Sequence, residues 1–372
     1  MQRRLFAALA SVAALATLAA APVVRAQGGK PEPARLNVYN WNDYIAKDTV
    51  ADFEKATGVK VKYDNYDSNA TLQSKLLTGK SGYDVVYPSV EYAGKQIKAG
   101  IFRPLDKALL PNLQHIDPAV LKALEAADPG NRFLVPYMWF TTGVAINVQK
   151  VEQALGGKLP EDAWSLLFDP AVTARLKGCG IALMDEASDV IPAAMIFAGL
   201  DPTKMDKASI AKAVDRIRAV RKDIRTFKTA PIDEMAKGSL CAAQMFSGDA
   251  MIAGKRARES NTGVNIRYLI PASGAMMSVD VMAIPKDAAH PLNAHRWIDR
   301  MMDPKEISRI SNETFYFSAN KTALPMTSSE LTGNPAINPS DAVKAKLRAK
   351  PVLEPAIGRE LTQALSRFKA AR

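Results

Sequence analysis

Between Leu36 and Gly100 short apolar runs alternate with helical stretches, and this order constrains the fold more than any other feature of the chain. Residues 36–40 alternate apolar and polar side chains with a period of two, which predicts a strand. Residues 48–57 have the spacing of a short helix that Gly58 ends, and 59–63 predict a second strand. Residues 69–77 predict a helix stopping near Gly79. Residues 83–87 form a third strand, which Pro88-Ser89 breaks, and a helix follows to about Ala99 and Gly100. A βαβαβ order gives a parallel sheet with helices on both faces. Ligands of such sheets bind beyond the carboxyl ends of the strands. Tyr39-Asn40-Trp41-Asn42-Asp43-Tyr44 and Ser89-Val90-Glu91 both lie just past strand ends, so the sequence places them on one rim.

The first of these segments sets a carboxylate among aromatic rings, which suits a compact organic cation. Asp43 can accept charge-assisted hydrogen bonds from an ammonium, and the rings supply cation–π faces. An aromatic strand end packed on a core, with a solvated Asp, is the alternative that these residues alone leave open. Further on, 133–137 and 142–147 are extended and lead into a second alternating section. Residues 264–270 and 277–284 read as strands that carry the chain back. Two such connections make a hinge between two lobes.

The first 26 residues read as an export signal. Arg3 and Arg4 form a basic start, 5–21 an Ala-rich apolar run, and Val24-Arg25-Ala26 a small-residue end with Gln27 as the expected first mature residue. A membrane anchor is the competing reading, but the run is short and weakly apolar. No Cys follows it to carry a lipid. Roughly 345 residues then remain, which suits two lobes better than one core. Losing Arg3, Arg4 and Arg25 lowers the formal charge from +11 to +8. The excess concentrates in 204–228 and 344–372, which read as helices with solvated basic faces. No nucleic-acid signature accompanies them, so nucleic acid is not expected as a partner. Cys179 and Cys241 are an even pair in an exported chain, which favours a bridge over two free thiols or a metal site.

Signals for catalysis fail one by one. Thr78-Gly79-Lys80-Ser81 mimics the end of a phosphate loop, but Ser74 stands where that loop needs Gly, and the segment ends a helix instead of opening one. There is no G-x-S-x-G. His115, His290 and His295 are too few and too scattered for a metal helix. What remains is a set of acids at strand ends. Asp185, Glu186 and Asp189 follow the apolar 181–184, and Phe246, Gly248 and Asp249 follow 241–245. Asp280 lies between two valines, where a carboxylate is costly to bury without a partner. Each alone is more often a cap or a surface acid. Together they describe a cleft for an organic polycation.

From about Leu36 to near the C-terminus the chain resembles the periplasmic putrescine- and spermidine-binding proteins of bacterial polyamine ABC importers, the putrescine branch most closely. Tyr39-Asn40-Trp41-Asn42-Asp43-Tyr44-Ile45, Tyr66-Asp67-Ser68-Asn69, Tyr83-Asp84-Val85-Val86 and Ala99-Gly100-Ile101-Phe102-Arg103-Pro104-Leu105-Asp106-Lys107 carry the resemblance. Pro136-Tyr137-Met138-Trp139, Thr141-Thr142-Gly143, Phe315-Tyr316 and Ala319-Asn320-Lys321 continue it. It implies an α/β type II periplasmic-binding-protein fold, with two lobes, a hinge and a ligand cleft between them. The expected division is 1–26 signal, 27–140 and 273–325 lobe one, 141–272 lobe two, and 326–372 a helical segment packed on lobe two. It also implies a bridge between Cys179 and Cys241, a polyamine ligand, an inner-membrane permease as partner, a monomer in the periplasm, no cofactor and no enzymatic step.

Carried over by position, Trp41, Asp43 and Ser89 line the cleft from lobe one, and Asn42 and Tyr44 are further candidate contacts. Asp280 and Tyr316 match further site positions, and Asp189 and Asp249 match acids of the other side. Several positions depart from the pattern. Phe246 stands for a usual Trp, Ser278 for Phe or Trp, Asp189 for Glu, and Asn42 for a small hydroxylated residue. Glu91 and Glu186 are acids added to the putrescine pattern. A lost ring and two extra carboxylates lead to the expectation of a roomier, more acidic cleft for a longer or more polar cation, such as spermidine or a guanidino-amine. Another organic cation such as agmatine, a sensing role, or a secreted enzyme acting on a cationic substrate are the alternatives.

Overall fold

The computed structural model describes residues 32–371. The proposed export signal lies outside the described residues. Eleven strands form one sheet among them: β1 Arg35–Trp41, β2 Lys60–Tyr66, β3 Val85–Val86, β4 Leu134–Asn147, β5 Ile181–Leu183, β6 Ile224–Phe227, β7 Ala242–Phe246, β8 Ile266–Leu269, β9 Ala275–Ala283, β10 Phe317–Ser318 and β11 Leu347–Ala349. The order along the sheet is β2-β1-β3-β9-β4-β7-β5-β6. β1 pairs in parallel with β2 and β3, as the opening βαβαβ pattern requires. β5 pairs in parallel with β6 and β7 and begins a second parallel group.

β4 and β9 join the two groups. They run antiparallel side by side from Leu134↔Ala283 to Thr142↔Met276, and β4 then continues along β7. The two extended stretches expected at 133–137 and 142–147 are therefore a single strand. The intervening residues stay extended because β9 pairs with them. Two lobes result, linked through these strands, and the larger apolar core runs across the link, taking in Ala182, Ala243 and Met245 of the second group and Tyr268 of β8. Phe53 and Trp297 are packed edge to face in one lobe, and Trp164 and Phe168 are stacked in the other.

Local sequence sets the boundaries. Gly58 takes a left-handed φ of 73° and stops the helix Thr49–Thr57. The Ser68 hydroxyl accepts from the Thr71 amide and starts the helix Asn69–Leu77. Cys179 and Cys241 are bridged just ahead of β5 and β7, tying two neighbouring strands. A closure over 62 residues of separation stabilises by about 4 kcal/mol in the chain-entropy model.

The two basic stretches are solvated helices in part: Lys212 and Arg216 are exposed on the helix Lys207–Ile217, and Arg359 and Arg367 on the helix Pro355–Ala370. In 204–228 the helix Lys207–Ile217 gives way to a 3-10 helix, Arg218–Asp223, and to β6. Arg225 lies on that strand, and its guanidinium donates to the carbonyls of Ser239 and Gly178. In 344–372 the strand β11 pairs in parallel with β9 before the helix Pro355–Ala370 begins. That helix buries Leu361, Ala364, Leu365 and Phe368 in the second core. Lys350, next after β11, is buried.

Candidate ligand-binding site

Four strand ends converge on one cavity of about 830 Å³. β1 delivers Trp41, Asn42, Asp43 and Tyr44, and the turn after β3 delivers Ser89. β7 delivers Phe246 and Asp249, and the end of β5 delivers Asp185. Asp280 reaches the cavity from the middle of β9, and Tyr316 from just past the helix Pro304–Thr314.

Trp41 donates its indole N–H to the Tyr87 carbonyl at 2.7 Å, which fixes the ring at the rim. Asp43 adopts a φ of +53°, a left-handed conformation that Asp tolerates better than most residues. Its carboxylate meets Arg256 at 2.9 Å, and Arg256 also meets Asp233 at 3.0 Å. Asp43 therefore does not stand ready as an unpaired acid. Arg256 lies on the helix Ser247–Glu259 that follows β7, so this ion pair spans the cleft from one lobe to the other.

Asp280 and Asp249 are different. Both are buried, and neither forms an ion pair among the described residues. Ser89 donates to Asp280 at 2.7 Å, and Asn69 in turn donates to the Ser89 hydroxyl at 3.0 Å. The Tyr316 hydroxyl donates to Asp249 at 2.6 Å. Burial pushes each carboxyl up to about 7, with those hydrogen bonds opposing the rise. Gly248 makes room for the second contact. A Cβ there would collide with the Tyr316 ring, so glycine lets that ring approach the helix start.

Aromatic rings surround these two acids. Tyr316 packs edge to face against Tyr44 and against Phe140, and Phe140 packs likewise against Phe246. Phe140 sits opposite Ser278 in the β4–β9 ladder. A ring absent at 278 is thus partly compensated by one at 140, which falls between the two extended stretches expected at 133–137 and 142–147. The Tyr44 hydroxyl is buried beside Asp280. Burial holds its pKa well above the ordinary tyrosine range, and the Asp280 charge and its hydrogen bond with Tyr44 raise it further.

Glu91, Glu186, Asp189 and Ser278 do not line this cavity. Glu91 and Glu186 line a neighbouring one of about 230 Å³, together with Tyr92, Lys95 and Lys369. Asp189 accepts from Thr142 at 2.8 Å and pairs with the Lys350 ammonium at 2.7 Å. The same ammonium lies 3.6 Å from Glu91 and 5.6 Å from the centre of the Phe246 ring. Ser278 donates to the other oxygen of Glu91 at 3.2 Å. Burial opposes the Lys350 charge, but Asp189 and Glu91 outweigh it and hold its pKa above the ordinary lysine range. Glu186, half-buried and repelled by Asp189, is pushed up to about 8. The extra acids therefore do not add free negative charge to the main cavity. Two of the three carboxylates around Lys350 are its direct partners.

A family model for bacterial extracellular solute-binding proteins matches residues 48–339. The putrescine-binding periplasmic protein PotF of Escherichia coli is 41% identical over 344 residues, covering 92% of this chain and 93% of the relative. The putrescine-binding periplasmic protein SpuD of Pseudomonas aeruginosa is 38% identical over 91% of this chain and 92% of its own. The solved substrate-binding protein PotD of Streptococcus pneumoniae superposes with a TM-score of 0.73 at 24% identity, over 90% of this chain and 98% of that one. Two α/β lobes on a shared sheet, hinged about a cleft, are the type II periplasmic-binding architecture. The chain belongs to the family of bacterial extracellular solute-binding proteins.

Proposed function

We propose that this protein captures a polyamine of the putrescine and spermidine class outside the cytoplasmic membrane and hands it to an ABC permease. The observation that carries the reading is the pair Asp280 and Asp249: two buried carboxylates with hydroxyl partners only, facing one cavity walled by aromatic rings. A dication supplies the missing positive charges, and its methylenes lie against Trp41, Phe140 and Phe246. The names of the curated relatives, which describe binding of putrescine, agmatine, cadaverine or spermidine, agree with that chemistry.

In this reading the ligand contacts come from Trp41, Asp43, Tyr44, Ser89, Phe246, Asp249, Asp280 and Tyr316. Lobe one comprises 27–140 and 273–325, and lobe two 141–272 with 326–372 against it. The N-terminal 26 residues direct export to the periplasm, and the protein acts as a monomer without nucleic acid. Its role is binding and delivery, with no chemical change to the solute.

A thermal-shift screen of diamines, triamines, agmatine and basic amino acids tests this. A ligand at a hundred times its Kd stabilises by about 2.7 kcal/mol, a clear rise in Tm. The reading falls if cationic amines leave the Tm unmoved while neutral or anionic solutes raise it.

A further inference from the structure

We propose that Lys350 is a resident ammonium: a side chain of the protein that fills a third cation position beside the cleft and so limits the ligand to two ammonium groups. This rests on the polyamine reading above.

The surroundings of the Lys350 ammonium are those expected for a bound amine. It is held between carboxylates from both lobes, Glu91 on the helix after β3 and Asp189 on the helix after β5. It lies over Phe246, a ring that also walls the main cavity. The lysine itself comes from neither wall. It is carried in by the C-terminal segment, whose strand β11 pairs with β9 and whose Lys350 amide bonds to the Met277 carbonyl at 3.1 Å. Val352 then seats against Gly94 on the helix Val90–Lys98, at a distance that leaves no room for a larger residue there. The backbone on either side of Lys350 is thus fixed, and its ammonium is delivered to one place.

Ser278 is the second half of the device. It follows Met277 on β9, beside the point where Lys350 is anchored, and its hydroxyl holds the oxygen of Glu91 that Lys350 does not face. A ring at 278 would compete for the space in which Glu91 and the ammonium meet. The small residue leaves room for the lysine, and the two together engage both oxygens of Glu91. A diamine still finds Asp280 and Asp249. A triamine extending past Phe246 meets a like charge already seated on Asp189 and Glu91.

Two experiments test this together. Calorimetry compares putrescine and spermidine on the wild type and on Lys350→Met, which keeps an apolar chain and removes the charge. The wild type is expected to bind the diamine at least about tenfold more tightly, and the variant to shift the triamine-to-diamine affinity ratio by about tenfold or more toward the triamine. An unchanged ratio overturns the proposal. Should charge removal alone prevent folding, Lys350→Met combined with Glu91→Gln lowers the uncompensated charge, and the same ratio is read. Separately, Lys350→Ala lacks three methylenes and the ammonium, so n-propylammonium should raise its Tm and leave the wild type unmoved. No rescue overturns the cation position. Rescue with no polyamine bound by any form overturns the polyamine reading instead, and leaves the resident ammonium standing.

Discussion

Asp249 and Asp280 on one side, and Asp189 and Glu91 on the other, are two pairs of buried carboxylates around the same Phe246 ring, and they are satisfied in opposite ways. The first pair accepts hydrogen bonds from Tyr316 and Ser89 and has no cation among the described residues. The second pair shares the Lys350 ammonium. Burying a carboxylate without a countercharge raises its pKa, whereas a built-in ion pair supplies the countercharge permanently. The difference separates an acid pair kept for a ligand from an acid pair closed by the chain itself.

The largest test of the contrast is pH. Asp249 and Asp280 each titrate near 7 in the folded protein. To hold an ammonium each must first lose its proton, so cation affinity should rise with pH. Between pH 6 and pH 8 the product of the two ionised fractions grows roughly a hundredfold, which sets the upper limit of the gain. The ligand-free fold should move the other way. Its carboxyl pKa values lie above those of the unfolded chain, so the folded state holds more protons between about pH 4 and 7. Stability contributed by these acids is full below the unfolded pKa and declines as pH rises through 7. Calorimetry and thermal melts over pH 5.5–8.5 measure both trends. A flat affinity would mean that the first pair is already ionised and compensated, and the contrast would dissolve.

Asp280→Asn comes next. It removes one charge from the unpaired set but keeps the shape and the hydrogen bond with Ser89. Ligand affinity should fall by about 2 kcal/mol, or thirtyfold. The ligand-free Tm at pH 8 should hold or rise, because a neutral amide is easier to bury than a carboxylate. The corresponding change at the closed pair, Asp189→Asn, should instead lower the ligand-free Tm, since it strands the Lys350 charge. If both variants behave alike in melts, the two pairs are not different in kind.

The sequence revealed the first pair more readily than the second. β1, β3 and the helices between them follow from alternation and from Gly58 and Ser68, all local signals. The rim position of Trp41 to Tyr44 then follows from strand ends in a parallel sheet. Lys350 sits in a basic stretch and Arg256 between Lys255 and Arg258, where a charge normally means solvent. Their burial or partial burial is decided by Asp189, Glu91 and Asp43, which lie far away in the chain. One local signal was present. Pro351 follows Lys350 and disfavours helix at the residue before it, so Lys350 was never a good candidate for a helical face. Phe140 was missed because the break expected between 137 and 142 hid a continuous strand that β9 holds straight.

The Asp43–Arg256 pair lies between these two extremes, and its variant should have the smallest effect. Like Lys350, Arg256 is a cation of the protein on an acid at the cleft. Unlike Lys350, it keeps about a third of its side chain exposed, and Asp43 is 44% exposed. Ion pairs in that setting contribute about 0.2–1 kcal/mol and weaken with salt. Arg256→Gln removes the link between the lobes and leaves the Asp43 charge to the ligand alone, two effects of opposite sign on affinity. The net change should be no more than about fivefold, and smaller at 0.5 M salt than at 0.05 M. A double-mutant cycle with Asp43→Asn isolates the link from the released acid. A coupling energy well above 1 kcal/mol would place Arg256 beside Lys350, as a second resident cation of the site.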